Sequence, residues 1–99
     1  MNLQQFAERF EAVVRAAIED VAKAAAEELR NTTPAKRAKT RDAVYHKTRG
    51  LQAEVGLRFA KRYPGTNTAT HRRLAIQWQR MRAKLRARLI HRINAGLHN

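Results

Sequence analysis

Apolar residues recur at three- and four-residue steps over positions 1–31, as Leu3, Phe6, Phe10, Val13, Val14, Ala17, Ile18, Val21, Ala24, Ala25 and Leu29. That spacing keeps them on one stripe of a 3.6-residue period and predicts a long amphipathic helix. Asn2 suits the N-cap, with Gln5 in the capping-box position, and Pro34 ends the run by disfavouring a helical residue before it. Positions 32–42 have no apolar period and read as an exposed basic connector. Further on, Leu51, Ala53, Val55, Leu57 and Phe59 alternate with Gln52, Glu54, Gly56 and Arg58, the pattern of a half-buried strand. A weaker strand over Ala43–Thr48 and a turn at Arg49-Gly50 complete a predicted β-hairpin over 43–59. Residues 60–70 read as a loop containing the turn Tyr63-Pro64-Gly65-Thr66, with Thr68 or Thr70 as the next cap. A last helix over 71–96 follows, with the stripe Leu74, Trp78, Met81, Leu85, Leu89 and Ile93 and Gly96 as its stop. The expected fold class is α+β in a single domain: a long N-terminal helix, a small antiparallel hairpin and a long basic C-terminal helix.

Charge changes this picture most. Residues 1–31 carry four basic and six acidic side chains, a net of −2, whereas 32–99 carry seventeen basic ones against Asp42 and Glu54, a net of +15, which together give +13. The last helix has eight basic residues and no acidic one. Such asymmetry points to a polyanionic partner or to complementary packing between subunits. The expected contact set is Lys36, Arg37, Lys39 and Arg41 in the connector with Arg73, Arg80, Lys84 and Arg88 on the last helix. Arg suits phosphate through its bidentate fork. The same row would also suit the acidic face of another subunit's first helix.

Little else carries chemistry. Cysteine and serine are absent, and six of the eight carboxylates lie on the first helix. His46, His71, His91 and His98 form no close metal-binding pair, and there is no glycine-rich phosphate loop. These features argue against an enzyme and against any cofactor, metal or small-molecule substrate. No apolar run approaches the ~20 residues of a membrane span, and the N-terminus lacks a signal-peptide pattern. The expected place is the cytoplasm or something assembled there. Trp78 lies inside its helix's apolar stripe, so packing is a better account of it than base stacking. With Phe6, Phe10, Val14, Met81 and Leu85 it is expected to build a core or an oligomer interface.

The layout resembles the small neck and tail-completion proteins at the head–tail junction of long-tailed bacteriophages. The resemblance rests on the opening helix, the connector Thr33-Pro34-Ala35-Lys36-Arg37-Ala38-Lys39-Thr40-Arg41-Asp42-Ala43-Val44, the Glu54-Val55-Gly56-Leu57 stretch, and the closing Leu74-Ala75-Ile76-Gln77-Trp78-Gln79-Arg80-Met81. It departs where Thr40 precedes Arg41, since the family places glycine after that Thr or Ser. The resemblance implies a structural virion protein, assembled in the host cytoplasm, that forms a homo-oligomeric ring with other neck or tail proteins. Neighbouring subunits would complete the small sheet. Two alternatives stand beside it: a basic nucleic-acid-binding protein making non-specific phosphate contacts, and a helical regulator of another protein. The alternating run at 51–59 counts against a purely helical chromatin-like protein.

Overall fold

The computed structural model describes residues 1–46 and 50–97, with residues 43–45 described by backbone alone. Four α-helices and one 3-10 turn account for the order: α1 (Leu3–Arg30), the turn Pro34–Lys36, α2 (Arg37–His46), α3 (Gly50–Arg62) and α4 (Thr68–Leu97). No strand forms among the described residues. The α+β expectation is therefore replaced by an all-helical fold.

α1 begins where its capping box places it. The Asn2 side chain accepts from the Gln5 amide at 2.8 Å, and the Gln5 side chain accepts from the Asn2 amide at 3.1 Å. Its buried face is Phe6, Phe10, Val13, Val14, Ala17, Ile18, Ala22, Ala25, Ala26 and Leu29. That face is wider than a single stripe because α1 packs against both α4 and α3. Ala22 and Ala26 are drawn inside, while Ala24 and Leu3 of the expected stripe stay exposed.

α4 runs parallel to α1. Arg73 donates to the Met1 carbonyl (3.5 Å), Arg88 pairs with Glu11, Arg92 with Glu19, and Arg30 donates to the Gly96 carbonyl (2.7 Å). At about 1.5 Å per residue, the 28 residues of α1 and 30 of α4 each run most of the 49 Å length of the molecule. Parallel neighbours need a return path, and α3 supplies it. Its last turn sits at the start of α1, with Phe59 against Phe6 (5.9 Å between ring centres) and Tyr63 under the Arg9 guanidinium (4.6 Å). From there Pro64 and Gly65 turn the chain into α4, with Gly65 at φ +90° as the third residue of a type II turn requires. Asn67, rather than Thr68 or Thr70, caps α4 by accepting from the Thr70 amide at 3.0 Å.

The predicted hairpin fails for a specific reason. A period of two and a helical step of four share every second member of an alternating run. Leu51, Val55 and Phe59 are buried, as either pattern would have them, but Ala53 is exposed and Leu57 is 70% exposed. The burial obeys the helical period. Propensity agrees: across Gly50–Arg62 only Val55 is β-branched, and Leu, Gln, Ala, Glu, Arg and Lys favour helix. Residues 43–46 of the expected Ala43–Thr48 strand lie in α2, and the 60–70 loop shortens to residues 63–67. Gly50 opens α3 without a left-handed conformation. Arg49 of the expected turn and Lys47 and Thr48 of the expected strand, together with His98 and the side chains of Ala43, Val44 and Tyr45, lie outside the described residues.

Gly96 is likewise no stop signal, because α4 continues through it. A Cβ built there would stand 3.0 Å from the Ala26 Cβ. The glycine thus lets α4 close onto α1 where both faces carry small residues. Gly96→Val is expected to cost about 1–3 kcal/mol through overpacking, measured by urea unfolding. Gly50→Ala, where no atom lies within 4 Å, is the unstrained control.

Candidate nucleic-acid interface

Where the carboxylates go decides which cations remain. Glu11 of α1 holds Arg88 of α4 with two bonds (2.8 and 3.3 Å), and Glu19 holds Arg92 at 2.8 Å. On the other flank of α1, Asp20 reaches Arg58 of α3 at 2.8 Å, and Arg58 also bonds Glu54 at 2.7 Å. Hydrogen bonding to Glu54 and then Asp20 raises the Arg58 pKa, and bonding to Glu19 raises that of Arg92. A raised arginine pKa contributes stability that is fully present below its ordinary value and is lost only as pH passes the folded one. These guanidinium groups therefore do not titrate near neutrality. Exposed pairs of this kind contribute little to stability, because solvent screens them and holding two long side chains in place costs entropy. Their larger consequence is placement: carboxylates sit along the seams of α1 with α4 and α3, where they neutralise only the cations beside them.

Pairing therefore occurs within one chain, and the acidic face expected to meet a neighbouring subunit is partly used. Arg88, expected to contact a polyanion, is committed to Glu11. Arg73 lies over the Phe6 ring, 5.5 Å from its centre, and remains exposed. Arg80 and Lys84 are exposed with no ion pair among the described residues, and the same holds for Arg72, Arg82 and Arg86. These last three widen the expected row into a face. The signal for them is present in the sequence, since α4 contains no acidic residue to offset any of its cations. Lys36, Arg37, Lys39 and Arg41 are exposed on the 3-10 turn and α2, elements that follow α1 in the chain and precede α3.

The apolar candidates are core. Phe6, Phe10, Val14, Trp78 and Leu85 are buried within the one chain, and Met81 packs half-buried against them. Trp78 is 7% exposed, which leaves it no free face for stacking. Among the described residues, no buried one is polar or charged, and no group of three His, Asp or Glu side chains is placed to hold a metal ion. No helix among them is long and apolar enough to cross a membrane. Comparison with known proteins found no match to a family model, a curated protein or a solved structure.

Proposed function

We propose that this is a non-enzymatic binding protein that holds nucleic acid by its phosphate backbone through the outward face of α4. The observation that carries the reading is the set of five exposed cations on that helix, Arg72, Arg80, Arg82, Lys84 and Arg86, which no carboxylate among the described residues neutralises. Like charges this close repel one another, and a polyanion laid along them would offset that repulsion. Phosphate is the polyanion that arginine suits best.

Salt dependence tests it. Fluorescence anisotropy of a labelled nucleic acid across a salt series is expected to give a log–log slope that flattens by about 1.8 in Arg80→Ala plus Lys84→Ala, at about 0.9 for each phosphate no longer engaged. An unchanged slope and affinity in that variant would remove α4 as the binding surface.

A second reading keeps the chain at the phage head–tail junction, as a ring subunit that meets virion neck or tail proteins. Leu57, 70% exposed, with the exposed Ala53 and half-buried Ala60 on the same side of α3, favours it by leaving an apolar strip open to a neighbour. The Leu74–Met81 motif, on the closing helix α4, also stays in its favour, whereas the connector folds as the 3-10 turn and α2 and enters no hairpin. The argument from an incomplete sheet is gone, because the described chain has no sheet to complete. Light scattering in high salt is expected, on this reading, to give a discrete closed oligomer that Leu57→Glu dissociates. A wild-type monomer would count against a self-assembling ring.

A further inference from the structure

Building on the proposed phosphate-binding role, we infer that the ligand is B-form duplex DNA and that α4 lies in its major groove. At about 100° per residue, the outward basic residues of α4 fall into two rows. Arg80 and Lys84 lie on one flank of the outward face and Arg72 and Arg86 on the other, while Arg73 turns toward Phe6 and the Met1 carbonyl of α1 and Arg82 stands beside the buried face. All six are exposed. Between the rows, opposite the buried Leu74, Trp78, Leu85 and Leu89, runs a ridge of Ile76, Ala83 and Ala87, also exposed. A helix with cations on both flanks and short side chains at its leading edge matches a channel with phosphates on both walls. The major groove is about 12 Å wide and a helix with side chains about 10–12 Å across.

Other polyanions fit less well. Single strands are held by stacking bases on exposed aromatic rings. Among the described side chains, Phe6, Phe10, Phe59 and Trp78 are buried, and the half-buried Tyr63 ring is covered by Arg9. Double-stranded RNA has a deep, narrow major groove that does not admit a helix. A second copy of this face is repelled by its own charge. An acidic protein helix would satisfy one row and leave the other unmatched. Ile76, Ala83 and Ala87 have no polar group to read base edges, and Asn94 continues their line only near the end of α4, so binding is expected to have little sequence preference.

The test compares a 20-bp DNA duplex, the RNA duplex and the single strand of the same sequence, with polyglutamate as a competitor. DNA duplex is expected to bind at least about tenfold tighter than the other two, the size of one well-made interaction. Ala83→Trp and Ala87→Trp change no charge and sit on exposed positions, so they should lower duplex affinity about tenfold or more by obstructing the approach. Ala7→Trp, on the exposed side of α1, should change nothing. With the wild-type protein, dimethyl sulfate footprinting should protect guanine N7 in the major groove and leave adenine N3 in the minor groove reactive. Equal affinity for all three nucleic acids, or an unprotected N7, would overturn the groove inference and leave phosphate binding standing. Polyglutamate that displaces DNA at equal charge would overturn it in favour of an acidic protein. Failure to bind any of them would end both.

Discussion

Phe59→Ala is expected to destabilise the fold by about 3–5 kcal/mol, enough to unfold much of a marginal domain. Its ring is fully buried, 5.9 Å from that of Phe6 and 5.0 Å from that of Tyr63, at the point where α3 meets the start of α1. Truncation removes a large apolar side chain and leaves a cavity beside Phe6 and Phe10, which other residues hold in place. Leu57→Ala, two residues away, is expected to change stability by no more than about 0.5 kcal/mol, because Leu57 is 70% exposed. The comparison separates two structures. In a hairpin, Leu57 and Phe59 share one face and both substitutions would cost several kcal/mol. Urea unfolding of the two variants under identical conditions reads the difference directly.

Converting Arg80, Arg82, Lys84 and Arg86 together to glutamine is expected to lower nucleic-acid affinity by about three and a half orders of magnitude at about 0.1 M salt, since in the counterion-release relation each phosphate engaged there strengthens binding roughly eightfold. The same variant should be no less stable than the parent, and more stable at low salt. None of the four makes an ion pair among the described residues, and removing them relieves repulsion between side chains four positions apart. Binding by titration and melting temperature at two salt concentrations test both halves. A variant that loses stability along with affinity would mean that these side chains hold the fold rather than a ligand.

The first helix is legible in the sequence because it is long, periodic and capped, and the stripe of α4 because six apolar residues recur without interruption. The middle of the chain is not, because nine residues of strict alternation satisfy a strand and a helix alike at Leu51, Val55 and Phe59. Tyr63 extends that four-residue series past the end of the alternation, where it packs half-buried on Phe59. One more turn of the pattern thus favours the helix. The charge face is only partly legible. Composition shows the excess, but which cations remain depends on α1 and α4 lying parallel, and neither helix alone encodes that. Arg88 and Arg80 stand in one row of four-residue steps, yet eight residues turn Arg88 about 80° toward the seam, where it meets Glu11, while Arg80 faces solvent. Gly96 is hidden in the same way, since its use depends on Ala26 of a helix far away in sequence.

The parallel pairing of α1 and α4 also bears on how the chain reaches its native state. The bonds that join them span separations of 66 to 77 residues, as in Arg30 to Gly96 and Glu11 to Arg88. Bundles of sequential helical hairpins close over short loops and fold quickly, whereas distant partners must lose loop entropy first. During synthesis, at about 5–20 residues per second, the apolar face of α1 emerges early and waits several seconds for α4. Until then α3 covers only part of it. The nascent chain thus presents Phe6, Phe10 and Val14 to the cell before it owns the helix that buries them, and chaperone dependence is expected to be governed by how soon the 30 residues of α4 appear.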